Sequence, residues 1–225
     1  MSELFTDDYF RDRDLTDAKR ISSFHSEEVF IRKHIRMKGK ILDFGCSTGE
    51  FLETIKWEGT RYGTELNIEA AAKASERGIN MISNLAVSEE NFSAIVLRGV
   101  IQHVENPFEL LEIAYNKLEP GGSLIFLATP NADSLVYRLF GKLPALDPPR
   151  NFWIPRYSEL LTYCDRAGFD LIASRFPYRS SPYSHWADLL KFLLALFGIR
   201  KTIDFAFHKN MMDVIFVKAA RDVAS

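Results

Sequence analysis

Residues 41–52, which read ILDFGCSTGEFL, constrain the fold of this chain more than any other stretch. An apolar run ends near Asp43, a tight turn follows between Gly45 and Gly49, and Glu50 opens a segment with helix-compatible spacing. Open α/β sheets bind nucleotide-like ligands with this strand, loop and helix, because the backbone can approach a ligand only where side chains are missing. We therefore expect a ligand-binding loop over residues 45–49.

The composition is that of a soluble globular protein. The chain has 225 residues, of which 47% are apolar and 26% charged. The 28 basic and 30 acidic residues leave a net charge of −2, which argues against nucleic acid as a partner. The two cysteines form neither a disulfide framework nor a zinc spacing. The polar, acid-rich first residues lack a signal-peptide pattern and no apolar run could span a bilayer, so we expect a cytoplasmic location.

Apolar runs alternate with segments of helical periodicity, which predicts a doubly wound α/β fold. We expect a mostly parallel, seven-stranded, Rossmann-like sheet whose last strand is antiparallel. Glycine and proline punctuate the pattern, and the proline-rich residues 141–155 are expected to form an irregular loop. The predicted strands cover residues 40–44, 61–65, 79–83, 94–97, 123–128, 170–174 and 211–218.

The glycine loop differs from a dinucleotide-binding loop. A dinucleotide-binding loop reads GxGxxG, whereas here Ser47 stands at the middle glycine and no P-loop lysine is present. At these residues the chain resembles the class I S-adenosylmethionine (SAM) methyltransferases. The sequence LDFGCSTG of this chain matches the first motif of that family at every position except Ser47, where the family usually has glycine. The resemblance implies SAM as cofactor and S-adenosylhomocysteine as product. It also implies that the loop residues bind the methionine half of SAM, and these residues are Asp43, Gly45, Cys46, Ser47 and Gly49.

Glu65 follows Asp43 by 22 residues and ends the second predicted strand. A carboxylate there can accept both hydroxyl protons of a ribose, although a glutamate before a helix N-terminus is favourable in any case. In the similar family, the residues after the third strand bind adenine, and Asn84 and Leu85 stand at that place. Leu66 and Arg98 complete the predicted cofactor-binding set.

The resemblance continues through FSAIVLRGVIQHVENP, LEPGGSLIFLATPN and RYSELLTYCDRAGFDLI, and therefore covers most of the chain. The subgroup it resembles includes the ubiquinone-pathway O-methyltransferases and related sugar- and lipid-tailoring enzymes. Ser93 replaces a usual aspartate, and Gly99 and Gln102 stand where the subgroup can carry metal-binding carboxylates. His103 alone cannot hold a hard cation, so we expect no metal. His103 is either the general base or a brace for the following helix.

The substrate side is expected in the N-terminal segment and beyond the fifth strand. Arg150, Trp153 and Arg156 lie in a proline-stiffened stretch that either anchors a substrate or crosses the surface as packing. By its resemblance to the family, the N-terminal segment with Tyr9 and Arg20 is expected to close over SAM.

The segment 186–199, WADLLKFLLALFGI, is apolar around most of a helix but too short to cross a bilayer. Three interpretations stay open: a buried lid or homodimer helix, a peripheral membrane contact through residues 186–201, or the wall of an apolar substrate pocket.

These observations together predict a metal-independent, SAM-dependent methyltransferase that acts on a hydroxyl oxygen of a small molecule. We expect one domain over residues 1–225, with a helical cap (1–38), a SAM-binding core (39–130) and a substrate-side half (131–225) that carries a helical insertion near 184–200. One alternative is a catalytically silent SAM-binding regulator or scaffold. A second is a nicotinamide-dependent oxidoreductase, which the missing middle glycine disfavours.

Overall fold

A seven-stranded sheet forms the centre of the protein in a computed structural model that describes residues 17–143, 151–177, 184–205 and 207–219. The strand order is β3-β2-β1-β4-β5-β7-β6. Strand β7 pairs antiparallel with both β5 and β6, and the other pairs are parallel, which confirms the predicted fold class. The strands are β1 (Ile41–Phe44), β2 (Arg61–Thr64), β3 (Asn80–Met81), β4 (Phe92–Arg98), β5 (Leu118–Pro130), β6 (Phe169–Arg175) and β7 (Met211–Lys218).

Helices cover both faces of this sheet. Strand β4 is buried along both faces, as expected for a strand within a parallel sheet. Consecutive residues such as Ile95 and Val96 therefore enter hydrophobic cores on opposite faces of the sheet. The helices are α1 (Asp17–His34), α2 (Glu50–Thr54), α3 (Ile68–Glu76), α4 (Pro107–Lys117), α5 (Leu135–Phe140), α6 (Tyr157–Arg166) and α7 (Asp188–Leu196), with a 3-10 turn at Ile101–His103.

Local sequence explains where several helices begin. Asn67 and Asn106 cap α3 and α4 by accepting hydrogen bonds from backbone N–H groups of the first turn. Pro107 stands at the first position of α4, where its missing N–H has no helical partner to lose.

Two features differ from the prediction. Strand β5 begins at Leu118, which pairs with Phe92, whereas the sequence predicted a strand that begins at residue 123. The sequence Pro120-Gly121-Gly122 therefore lies within the strand and does not precede it. Helix α5 was not predicted, because its six residues are too few to show a period. It is capped by Ser134 and ends at Gly141, whose φ is +64°.

The carboxyl ends of β1, β4 and β5 meet at one edge of the sheet, where open α/β sheets bind ligands. Among the described residues, no helix combines the length and apolar character needed to cross a membrane.

Candidate active site

The loop between β1 and α2 has a conformation that requires its glycines. Gly45 and Gly49 have φ angles of +74° and +82°, in the left-handed region. A Cβ atom on Gly45 would lie 2.9 Å from a methyl carbon of Val100, and one on Gly49 would lie 2.3 Å from Cδ1 of Ile79. Ser47, at the position of the absent middle glycine, also adopts a positive φ of +53°. The substitution at Ser47 therefore leaves the turn intact.

Hydrogen bonds join the loop to the end of β2 and to the residue after α3. Thr64, the last residue of β2, accepts hydrogen bonds from the N–H groups of Gly45 (3.1 Å, to Oγ1) and Cys46 (2.9 Å, to the carbonyl). Arg77 donates to the carbonyl of Thr48 at 2.8 Å. Burial, together with the nearby carboxylates, raises the pKa of the Cys46 thiol far above its usual range. Cys46 thus serves as a small packing residue of a rigid loop and not as a thiolate.

The carboxylate of Glu65 lies against this loop. Its Oε2 accepts from the N–H of Ser47 at 2.9 Å, and its Oε1 accepts from the N–H groups of Leu66 (2.8 Å) and Asn67 (2.9 Å). These bonds use three of about four lone-pair directions of a carboxylate. A ribose diol bound here would share or displace at least one of the three N–H groups. The glutamate thus supports the start of α3 and also lies beside the loop.

The predicted cofactor-binding residue Leu66 lies after β2, and Asn84 and Leu85, predicted to contact adenine, lie after β3. Leu66 is exposed beside Glu65, and Leu85 is buried. Asn84 is exposed, and its side-chain oxygen accepts from the N–H of Ala86 at 2.8 Å in a local turn. Their contacts with a cofactor stay predictions.

Asp43, at the end of β1, is 2% exposed, and its Oδ1 has no hydrogen-bond partner among the described residues. Burial raises its pKa to about 8; the charge of Arg98 opposes this shift, whereas Glu27 and Glu65 reinforce it. Arg98 in turn donates two hydrogen bonds to the buried Glu27, at 2.7 and 3.1 Å. The guanidinium of Arg98 is therefore held by α1, and its predicted contact with the cofactor stays a prediction.

Helix α1 lies beside the glycine loop. Ser23 donates to Glu27 at 2.9 Å, and the Arg20 guanidinium lies 3.2 Å from a carboxylate oxygen of Glu50, the first residue of α2. The structure therefore places Arg20 beside the end of the loop, and the closure of this segment over SAM stays a prediction. Tyr9 lies outside the described residues.

A second buried carboxylate lies on β7. Asp213 accepts from the N–H of Ala128 at 2.8 Å and from Arg175 at 2.7 Å, and burial raises its pKa to about 6. Ala128 has a φ of +47°, and the register of β5 against β7 shifts between Phe126 and Thr129. The sequence reasoning missed Asp213, although an acid inside the apolar run MMDVIFVK is a recognisable signal.

Gln102 and His103 lie on the turn after β4. The amide nitrogen of Gln102 donates to the carbonyl of Gly99 at 2.9 Å and lies 3.2 Å from Nε2 of His103. Because the amide nitrogen of Gln102 can only donate a hydrogen bond, we assign Nε2 of His103 as the acceptor and place the imidazole proton on Nδ1. Within the described part of the chain, the amide oxygen of Gln102 is buried and has no hydrogen-bond partner. Gln102 therefore orients the basic nitrogen of His103.

Residues 151–153 pass over this turn. The N–H of Phe152 donates to the carbonyl of Gln102 at 2.9 Å, and the indole N–H of Trp153 donates to the carbonyl of Ile101 at 3.0 Å. Trp153 thus lies beside the turn that carries His103, and its indole N–H is used in a hydrogen bond with the backbone of that turn. Arg156 is exposed and lies 3.7 Å from Glu159 at the start of α6, and Arg150 lies outside the described residues. Within the described ranges, no group of three or more acidic, histidine or cysteine side chains could hold a metal ion.

With this geometry established, comparison with known proteins decides the family. A family model described as "Methyltransferase domain" matches residues 16–174, which is more than half of the chain. The chain belongs to the methyltransferase-domain family. It is a class I SAM methyltransferase by sheet topology and glycine loop, and SAM is its cofactor.

Named relatives differ in the acceptor they act on. This methyltransferase is 26% identical over 154 residues to a tRNA U34 carboxymethyltransferase of Desulfotalea psychrophila, covering 62% of this chain and 48% of the relative. It is 33% identical over 103 residues to a ubiquinone biosynthesis O-methyltransferase of Parvibaculum lavamentivorans, covering 41% and 40%. The chain spans about half the length of the curated relatives it matches.

Solved structures share the fold of this methyltransferase. One is a SAM-dependent methyltransferase of Thermotoga maritima, a possible histamine N-methyltransferase, with a TM-score of 0.63, 18% identity and coverage of 94% of both chains. At this identity the likeness shows the fold alone.

The expectation that nucleic acid is no partner is not supported, because a matching relative is named for tRNA.

Proposed function

We propose that this methyltransferase transfers the methyl group of SAM to a hydroxyl oxygen of a small molecule, without a metal. The observation that carries the proposal is the position of Glu65, whose carboxylate lies 2.9 Å from the N–H of Ser47 in the glycine loop. The loop follows β1 and the turn with His103 follows the neighbouring parallel strand β4. The glycine loop and the turn that carries His103 therefore lie at the same edge of the sheet.

The unsatisfied groups of this edge fit a cationic cofactor. Among the described residues, Oδ1 of Asp43 is a buried carboxyl oxygen without a hydrogen-bond partner, and it lies two residues before the glycine loop. When bound, SAM supplies an electrophilic methyl group on a positively charged sulfur. We propose as cofactor-binding residues Asp43, Gly45, Cys46, Ser47, Gly49, Glu65, Leu66, Asn84, Leu85 and Arg98.

Transfer to oxygen requires removal of the hydroxyl proton. The methyl–sulfur bond breaks, a methyl–oxygen bond forms, and the hydroxyl proton must leave to a base. Nε2 of His103 lies 3.2 Å from the amide nitrogen of Gln102, and we assign it as the acceptor of that hydrogen bond. A hydroxyl that takes the place of that amide would meet a nitrogen able to accept its proton. This arrangement supports His103 as the base.

The acceptor side is the finer part of the proposal. Phe152 and Trp153 donate hydrogen bonds to the turn that carries His103, which supports a substrate-side role for this segment. We propose Trp153 and Arg156, together with Tyr9 and Arg150 of the undescribed segments, as substrate-side residues. The boundaries at residues 38 and 130 that separate cap, core and substrate half belong to the same proposal.

A methyl-transfer assay on fractionated cell extract tests the proposal. The enzyme receives SAM labelled on its methyl group, and the label is followed into small molecules, lipids, RNA and protein. We expect label in a small-molecule or lipid fraction, in a product stable to mild base, as an ether is. Label in RNA would favour the acceptor class named for the tRNA relative. SAM binding without label in any fraction would favour a silent SAM-binding scaffold.

A further inference from the structure

Helix α7 is apolar on the face that packs inward and on the face that points outward. The inward face, with Phe192 and Ala195, joins a small hydrophobic cluster in which the rings of Phe192 and Phe207 stack at 5.0 Å. A helix that is apolar all round is normally buried or in contact with lipid. Here the outer side chains are exposed, up to 88% for Trp186 and 75% for Phe197. The outer apolar patch consists of Trp186, Leu189, Leu190, Leu193, Leu196 and Phe197.

The lobe that carries this patch has more basic than acidic side chains. We define the α5–α7 lobe as residues 135–143 and 184–205; it carries five basic side chains against two acidic ones, or +3, in a chain of net charge −2. Asp188 is fully buried, and Asp204 is paired with Arg200 at 2.7 Å and with Lys191 at 3.4 Å. Lys201 is exposed directly after the patch. Unpaired negative charge is therefore missing from the described surface of the lobe.

We infer that the outer apolar patch of α7 docks on an anionic lipid surface. An apolar helix face with aromatic residues at its ends and cations at its margin fits a helix lying in the plane of a bilayer. Anionic lipid attracts each nearby cation and the acyl boundary accepts the leucines, so both features of the lobe are explained by one occupant.

A second copy of the chain fits the same patch less well. A two-fold contact would set the patch against itself and bring the basic margins of both copies together. A nine-residue helix is about 14 Å long, and six side chains are far fewer than the roughly 20–30 residues that each partner contributes to a standard interface.

The lobe that carries the patch is joined to the sheet edge at which the turn with His103 lies. Helix α5 begins shortly after β5 ends, and β5 runs parallel to β4, so the lobe is joined to the same sheet edge as the turn with His103. Phe140 of α5 packs against Phe192 of α7, with ring centroids 6.2 Å apart. Docking would therefore place this edge near the bilayer. The inference does not depend on methyl transfer, because it concerns binding alone.

Vesicle binding by the full chain tests the inference. We use sedimentation with phosphatidylcholine vesicles that contain about one third phosphatidylglycerol, and with phosphatidylcholine alone. We expect binding to the anionic vesicles, weakened at high salt, and at least about tenfold weaker binding for the double variant Leu189→Ser, Leu193→Ser. Ile21→Ser, Val29→Ser is the matched control, since both residues are exposed apolar side chains on α1.

Tryptophan emission gives a second measurement. Trp186 is almost fully exposed, whereas Trp57 is buried and Trp153 is bonded to the turn, so a blue shift with anionic vesicles should vanish in Trp186→Phe. Absence of wild-type binding to anionic vesicles would overturn the inference, and so would equal binding by the serine variant. A lipid-independent dimer that only the serine variant abolishes would assign the patch to self-association instead.

Discussion

Replacing Asp43 by asparagine should make the protein without cofactor more stable at alkaline pH and should remove a pH dependence. The folded pKa is raised from 3.8 to about 8, mainly by burial. An acid with a raised folded pKa contributes no penalty below its unfolded pKa, and stability is lost progressively as the pH rises through the folded pKa. The four-unit shift corresponds to about 5 kcal/mol in full, of which about 4 kcal/mol develops between pH 5 and pH 9.

Urea unfolding of the wild type and Asp43→Asn at several pH values between these limits is the assay. We expect the free energy of unfolding of the variant, relative to the wild type, to rise by about 3–5 kcal/mol from the acid to the alkaline end. Other titrating groups, including Asp213, remain in both proteins and largely cancel in the difference. A difference that stays flat across this range would refute the assignment of Asp43 as an acid whose pKa is raised by burial. We also expect the variant to bind SAM more weakly, because an amide replaces a buried carboxyl group whose Oδ1 has no hydrogen-bond donor among the described residues.

Three further predictions follow from the same geometry. Gly49→Ala should destabilise the protein by about 2–4 kcal/mol more than Gly78→Ala, measured by urea unfolding, because both positions have positive φ but only Gly49 lacks room for a Cβ; equal costs would mean that the contact with Ile79 relaxes. His103→Ala should lower kcat about 10²- to 10⁴-fold with little change in SAM affinity, and an unchanged kcat would reduce His103 to a brace. Dialysis against a chelator should leave methyl transfer unchanged, and restoration of a lost rate by Mg²⁺ would contradict the metal-independent proposal.

The sequence predicted the fold through strong local signals. Strands β1 and β4 are apolar runs buried on both faces, and Gly45 and Gly49 mark the turn between β1 and α2. The prediction was less accurate at Leu118, because that residue becomes a strand only through its pairing with Phe92, a contact that local sequence does not show.

The site could be predicted in outline but not in its contacts. Spacing alone placed Glu65 beside the loop, since parallel strands bring their carboxyl ends to one edge. The bonds of Arg98 to Glu27 and of Ala128 to Asp213 join residues 71 and 85 positions apart, and no period or motif indicates such pairs. Likewise, three interpretations of α7 stayed open from the sequence, because apart from Asp188 and Lys191 its side chains are apolar on both the inner and the outer face.

Calorimetric titration of SAM into the wild type, Glu65→Gln and Glu69→Gln tests the central claim most directly. Glu65 is bonded to the loop, whereas Glu69 is an exposed glutamate of α3 and serves as the matched control. We expect the wild type and Glu69→Gln to bind SAM alike, and Glu65→Gln to bind about 10- to 100-fold more weakly, since an amide cannot accept two hydroxyl protons and the loop N–H together. No binding of SAM or S-adenosylhomocysteine by the wild type, or binding of NAD in their place, would contradict the account.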